Sequence, residues 1–277
     1  VKCSNKINLE RLKMNIIVCI KVVPDTETDI KIASDGKTIL TDNIKWVMNP
    51  YDEYGVEEAL RIKEKSGGEV TVITIGSKIV TEAVRTALAM GADKGIIIND
   101  NAVEGSDSIA SAKILAATIK DIEFELIFTG QRGIDEDMGV VGPALAELLN
   151  IPHHSLAVKV EINEKEKTVK VNKPVEGETL VVESSLPALI TAQKGLNEPR
   201  YPKLPAIMKA SKKPLKEKTL SDLGLSPSDF GKDARKIKII ELIPPPERKE
   251  GIIIEGDTPQ EKAAELARIL HEEAKIF

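Results

Sequence analysis

Four short runs of apolar, largely β-branched residues constrain this chain most: 15–22 (Asn-Ile-Ile-Val-Cys-Ile-Lys-Val), 70–75 (Val-Thr-Val-Ile-Thr-Ile), 95–98 and 125–129 (Glu-Leu-Ile-Phe-Thr). Each predicts a strand covered on both faces, as in a parallel sheet. Helical patterns fill the gaps. Residues 52–65 place Val56, Ala59, Leu60 and Lys63 at helical spacing, and Gly67-Gly68 ends the run. Residues 79–90 do the same with Val80, Ala83, Val84, Ala87 and Leu88 before Gly91. Residues 107–120 do so with Ile109, Ile114, Leu115 and Thr118. Glycine after the last apolar position is a helix stop. This alternation predicts an α/β fold with a doubly wound, mostly parallel sheet. Ligands of such sheets lie beyond the carboxyl ends of the strands.

The rhythm changes after Ile151-Pro152. Segments 155–162, 167–172 and 178–183 read as short strands separated by Asn163-Glu164-Lys165 and Glu176-Gly177, which predicts a small antiparallel extension. Residues 188–192 read as one more core strand. From 193 the chain reads as an extended C-terminal arm. Pro199, Pro202 and Pro205 argue against a regular helix or central strand there. Leu204, Ile207 and Met208 give the arm an apolar tip. The lysines at 209, 212, 213, 216 and 218 read as a solvated face. Pro244-Pro245-Pro246 precedes an amphipathic helix near 258–274, with Thr258 as N-cap and Pro259 in the first turn. A tail with so little core of its own is expected to wrap a partner subunit. The expected domains are an N-terminal extension (1–13), an α/β domain (14–192) and the arm (193–277).

Composition narrows the function. A net charge of −5 gives no reason to expect a nucleic-acid partner. Cys3 and Cys19 make neither a metal spacing nor a disulfide framework, so no metal site is expected. Cysteine usage suggests a reducing cytoplasm. No apolar run reaches the roughly 20 residues of a membrane span. Residues 1–13 carry four bases and one acid without an apolar segment, so they read as an addition ahead of Met14 rather than a signal peptide.

Four loops hold candidate chemistry, and all fall at strand ends or helix starts on one expected edge. Gly130-Gln-Arg-Gly-Ile-Asp-Glu-Asp-Met-Gly-Val-Val-Gly-Pro143 follows a strand and opens a helix. Its glycines and free helix-start amides suit a phosphate; a glycine-rich loop before a capped helix explains it equally. Asp135, Glu136 and Asp137 would repel a phosphate, so anion binding falls to backbone amides. Asp137 is then free to cap the helix, and Asp135 to accept from a ligand hydroxyl or amine. Val47-Met-Asn-Pro-Tyr-Asp52 reads as an N-capping turn or a ligand loop. Lys21-Val-Val-Pro-Asp-Thr26 directly follows the first strand. Gly105-Ser-Asp-Ser108 opens a helix, where Ser106 or Asp107 serves as a cap or a contact. Ser66-Gly67-Gly68 precedes a strand, the wrong place for an adenylating-enzyme loop. His153-His154 lacks metal-spaced partners and reads as a loop pair.

Several segments together resemble the electron-transfer flavoprotein beta subunit: Asn49-Pro50, Arg85-Thr-Ala-Leu-Ala-Met-Gly-Ala-Asp93, the 130–143 loop, Leu186-Pro-Ala-Leu-Ile-Thr191, and Asn197-Glu-Pro-Arg-Tyr201 through Met208-Lys-Ala210. The likeness spans about residues 14–255. It implies an adenine-nucleotide-binding fold of the HUP-like type. It also implies a heterodimer with an alpha subunit that carries a flavin, and electron transfer without a catalytic acid, base or nucleophile. Some members of this family hold a structural AMP. Others hold FAD, take electrons from NADH as a transient donor, and bifurcate them. Lys21–Thr26, Asn49–Asp52, Gly105–Ser108 and Val141-Gly-Pro143 resemble the bifurcating spellings KQVPDT, NPYD, GADT and VGP. FAD is therefore the expected cofactor, with AMP as the alternative. The family's DGDTAQVGP departs here, with Met138 and Val140 in place of Thr and Gln.

The family pocket, carried over by position, falls on Cys19, Asn49, Pro50, Tyr51, Asp52, Ile75, Gly130, Gln131, Arg132, Gly133, Ile134, Asp135, Glu136, Asp137, Met138, Gly139, Val140 and Val141. The FAD reading adds Asp25, Asp107 and Ser108. Partner docking maps to Leu204 and Lys209. The resemblance implies a dehydrogenase, a quinone-linked protein or ferredoxin as redox partner. It places the protein in the cytoplasm, or at a membrane through partner subunits.

Overall fold

Strand β1 (Ile16–Cys19) is buried along its whole length, and its side chains divide between two cores. Ile16 and Val18 face one, Ile17 and Cys19 the other. That is the two-sided burial expected of an uninterrupted apolar run. The structure is a computed structural model that describes residues 13–246 and 251–276. Apart from Lys13, the expected leader lies outside the described residues.

After β1 come β2 (Val22–Pro24), β3 (Trp46–Met48), α1 (Pro50–Ser66), β4 (Val70–Ile75), α2 (Thr81–Met90), β5 (Lys94–Ile98), α3 (Ser108–Ile119), β6 (Leu126–Gly130) and α4 (Val141–Leu149). Then follow β7 (His153–Ala157), β8 (Lys159–Asn163), β9 (Thr168–Val175), β10 (Glu178–Ser185), β11 (Ala188–Ala192), α5 (Leu204–Ala210), β12 (Leu215–Lys218) and α6 (Pro259–Arg268). Seven strands form one parallel sheet in the order β12-β5-β4-β1-β6-β11-β7. Helices α1 and α2 cover one face through Val56, Leu60, Val84 and Leu88. Helices α3 and α4 cover the other through Ile114, Leu115, Ile119 and Leu145. The chain builds outward from β1 through β4 and β5, then returns to β1's other side as β6. The switch point between β1 and β6 is where such sheets bind ligands.

The predicted small antiparallel extension is present as β8-β9-β10. The segment read as one strand over 155–162 is two. Strand β7 pairs in parallel with β11, and β8 pairs with β9. Leu156, inside β7, is left-handed at φ 60° where the β7–β11 register shifts, a conformation that non-glycine sequence does not announce, and the chain changes sheets just after β7, at Val158. His153 and His154 lie in β7 rather than in a loop, and His154 Nε2 sits 2.7 Å from Ser184 Oγ.

The arm departs from expectation too. Residues 204–210 are helical, because Pro205 occupies the first turn, where its missing N–H is not needed. The lysine run is not only a solvated face. Lys213 Nζ donates to the carbonyls of Leu88 (2.8 Å) and Ala92 (2.6 Å) at the end of α2, and residues 215–218 add the outer strand beside β5. A second compact unit comprises residues 32–38 with 240–276. Its helix α6 starts with the predicted Thr258 cap, reciprocated by Glu261, and continues as a π-helical stretch to residue 273. Among the described residues no helix is long and apolar enough to cross a membrane.

Helix α4 sits tightly on the sheet at Gly142. A Cβ there would lie 2.7 Å from Thr191 Cγ2 and 2.9 Å from Thr129 Oγ1. Both neighbours are β-branched and stiff. Gly142→Ala is expected to cost about 1–3 kcal/mol by overpacking, seen as a lowered melting temperature by differential scanning calorimetry. An unchanged melting temperature would refute this close fit.

Candidate functional site

Asp52, in the first turn of α1, is almost fully buried and joins two strand ends. Its carboxylate accepts the Lys21 N–H just past β1 (2.6 Å) and the Gly130 N–H at the end of β6 (2.8 Å). Asn49, 1% exposed, completes the clamp. Its backbone N–H donates to the Lys21 carbonyl (2.8 Å). Its side chain donates to the Arg132 carbonyl (2.9 Å) and accepts the Ile134 N–H (3.2 Å). Asn49 opens α1 as the sequence predicts, but its side chain ties down the loop instead of capping the helix. Gly130 has no room for a side chain, since a Cβ would fall inside contact distance of the Asp52 carboxylate.

Burial pushes the Asp52 carboxyl up to about 7, and the two backbone N–H bonds, the Asn49 hydrogen bond and the Lys21 charge oppose the rise. Cys19 is buried beside it. Burial, then the Asp52 charge, raises its thiol well above the usual range, so it packs rather than reacts.

The loop from 131 to 140 carries its acids in ion pairs. Lys21 Nζ lies 2.8 Å from Asp135 and 3.2 Å from Glu136. Burial would lower the Lys21 ammonium, but Asp135 and then Glu136 hold it above its ordinary value. Arg132 pairs with Asp137 (2.9 Å), donates to the Tyr51 hydroxyl (3.2 Å), and sits 5.5 Å over the Tyr51 ring. The expected Asp137 cap is absent. Helix α4 has neither a side-chain cap nor an acid in its first turn, so its opening amides have no side-chain acceptor there. Helix α3 differs: Asp107 caps it by accepting from Ala110 N (2.9 Å) and also accepts from Lys236 N (2.6 Å).

These elements enclose a cleft of about 540 Å³, within the range that holds small-molecule ligands. Of the residues singled out from sequence, Cys19, Asn49, Asp52, Ile75, Asp107, Ser108, Gly130, Gln131, Arg132, Gly133, Asp135, Glu136, Met138, Gly139, Val140 and Val141 line it. Pro50, Tyr51, Ile134 and Asp137 are not among its lining residues. Asp25 lies apart, bonded to Lys45 (2.7 Å). Leu204 and Lys209 are on α5, away from the cleft, where both are exposed.

Sequence reasoning noted the Lys21 segment without giving its side chain a role. It also missed Asn99, Asp100, Asn101, Val103, Glu104 and Thr129. Asn99 and Asp100 follow β5 directly, so the strand-end rule that selected the other loops would have found them.

A model of the electron transfer flavoprotein domain matches residues 37–223. A Bacillus subtilis (strain 168) protein, electron transfer flavoprotein subunit beta, is 44% identical over 265 residues, 95% of this chain and 100% of the relative. A protein of that name from Thermoanaerobacterium thermosaccharolyticum is 39% identical across 88% of this chain and 93% of its own length. The mitochondrial one of Arabidopsis thaliana is 39% identical across 87% and 93%.

The folded Asp52 carboxyl titrates near 7, above an unfolded value of about 3.9. The native state therefore binds more protons in that window, and the Asp52 contribution, full below about pH 3.9, declines as pH rises through 7. Denaturant unfolding of wild type and Asp52→Asn between pH 4 and 8 checks this. The stability difference should move against wild type by at most about 1.4 kcal/mol per pH unit. A pH-independent difference refutes it.

Proposed function

The chain belongs to the electron transfer flavoprotein beta-subunit family, whose function is in electron transfer, and from that premise we propose that it holds an adenine nucleotide and docks the redox partner of a heterodimer. The second chain is the alpha subunit, which carries a flavin. The observation that carries the nucleotide reading is the uncapped, acid-free start of α4, facing a cleft at the β1–β6 switch point. Gly130, Gly133 and Gly139 bring backbone to the same cleft. The residues therefore fit a phosphate held by main-chain amides.

Two nucleotides are in question. The geometry favours AMP. Asp25 is engaged by Lys45, both carboxylate oxygens of Asp107 accept backbone N–H groups, and Ser108 Oγ is directed at Met138 Sδ (3.5 Å). The three positions that distinguish the FAD reading are thus already partnered, and Met138 and Val140 add apolar rather than hydrogen-bonding surface. FAD is the second reading, supported by the bifurcating spellings at 21–26, 49–52 and 105–108 and by the reach of the cleft to α3. When bound, FAD would supply a second redox centre that accepts electrons from NADH for bifurcation. In either reading this chain's residues bind and orient, and the cofactor supplies the redox chemistry.

The arm supports partner docking. Its base is fixed to α1: Arg200 pairs with the buried Glu57 (2.7 Å) and with Glu64 (2.5 Å), and Asn197 donates to the Tyr54 carbonyl (3.0 Å). At the far end Arg85 donates to the Ala210 carbonyl (2.7 Å). Between these anchors Tyr201, Leu204 and Met208 are 95%, 71% and 70% exposed. A pre-positioned apolar tip loses little entropy on binding and suits a partner pocket. Lys209 stands beside it. A dehydrogenase, a quinone-linked protein or ferredoxin is the class of redox partner. The setting is the cytoplasm, or a membrane surface reached through partner subunits.

Denaturing the purified heterodimer and counting released cofactors tests the nucleotide. One FAD and one AMP per dimer are expected; two FAD would establish the second reading instead. Leu204→Ala is expected to slow electron delivery to the partner at least about tenfold, the range of a docking hot spot, with nucleotide content unchanged. Stopped-flow reduction of the partner at wild-type speed would remove the role of the tip.

A further inference from the structure

The lining of the cleft is strongly acidic for a phosphate site. Six carboxylates line it, against the two cations Lys21 and Arg132. Neither cation is free. Lys21 bridges Asp135 and Glu136, and Arg132 answers Asp137. Three of the lining acids are built into the frame. Asp52, Asp100 and Asp107 each accept two backbone N–H groups, so they cannot turn away from an arriving anion. Asp135 is fixed as well. Gly133 allows its approach, since a Cβ at 133 would lie 2.5 Å from Asp135 Oδ1.

What such a cleft offers an anion is therefore a short row of amides at the start of α4, with acids around it that cannot move away, Asp52 adding its full charge only above about pH 7. Amides and a helix start satisfy one phosphate group well. Each further ionised phosphate must extend from that row among carboxylates whose counter-cations are already paired. Like charges at a few ångströms repel strongly where the surroundings are partly desolvated.

We propose that Asp135 and Glu136, locked to Lys21, limit the phosphate charge that the cleft accepts to about two negative charges. This rests on the reading above that the cleft holds an adenine nucleotide. A monophosphate dianion or a doubly esterified diphosphate meets the limit, while free di- and triphosphates exceed it. The acids thereby act as specificity-determining residues. They let the subunit keep its nucleotide in the presence of more highly phosphorylated adenine nucleotides.

The test uses the full chain, dialysed free of nucleotide, at low ionic strength with a chelator present so that no divalent cation masks phosphate charge. Dissociation constants for AMP, ADP and ATP are measured by isothermal titration calorimetry in wild type, Asp135→Asn, Glu136→Gln and, as a control remote from the cleft, Glu161→Gln on β8, whose ion pair is with Lys159. In wild type, affinity should fall about tenfold with each added phosphate, the size of one like-charge contact at partial screening. In Asp135→Asn and Glu136→Gln the AMP-to-ATP ratio should shrink at least about threefold through tighter ATP binding, with AMP binding itself reporting an intact fold. Glu161→Gln should keep the wild-type ratio. Equal affinity for AMP and ATP in wild type, or a ratio unmoved by both cleft variants, overturns the charge limit while leaving the nucleotide reading intact. Failure to bind any of the three overturns both.

Discussion

The Asp52 carboxylate holds together the part of this fold that borders the cleft. Two strands that neighbour each other in the sheet end at Cys19 and Gly130, and beyond their last ladder bonds the backbone N–H groups of Lys21 and Gly130 need partners. Asp52 accepts both, from the first turn of the helix that packs beneath them. Unpaired buried amides would cost about 1–3 kcal/mol each. Asn49, one helical turn earlier, binds the next two backbone groups of the same loop. One helix start therefore fixes the edge of the sheet and the first half of the 130–141 loop.

That fixation leaves the second half of the loop to electrostatics. Its three consecutive acids would repel one another and any phosphate, yet each meets a cation: Lys21 for Asp135 and Glu136, Arg132 for Asp137. The pairs are half-exposed, so each adds little stability in isolation. Their effect is on placement. They hold the loop so that the uncapped start of α4 faces the cleft, and among the described residues that line the cleft both cations are paired. In the proposed reading, hydrogen bonding sets where an anion sits, and ion pairing sets how much charge is tolerated.

The arm is organised by the same contrast of fixed base and open tip. Glu57 is buried on α1 and holds Arg200 in a two-pronged bond, and Arg61 shares that carboxylate. Charge-assisted bonds of this geometry are strong and directional. At the other end Arg85 and Lys213 tie the arm to α2 through backbone carbonyls. Four apolar or aromatic side chains at 201, 204, 207 and 208 stay largely exposed between these anchors. Exposed apolar surface on a rigid mount is the feature on which the proposed docking role rests.

Periodicity determined most of the fold. Runs of β-branched residues can be covered on both faces only in a parallel sheet, so β1, β4, β5, β6 and β11 were legible, as were the helices between them and the antiparallel extension. The strand-end rule then selected the edge that bears the cleft and most of its lining. Other features needed tertiary structure, because they depend on which backbone groups are left unpaired once the sheet forms. Asp52 and Asn49 look like helix-start residues in sequence, and only the neighbouring ends of β1 and β6 turn them into a clamp. Asp137 looks like a cap, but it pairs with Arg132 because the loop turns through a left-handed residue there. The strand at 215–218 carries almost no apolar pattern. It joins the sheet because β5 has a free edge and Lys213 anchors the approach, a condition that no local run of residues encodes.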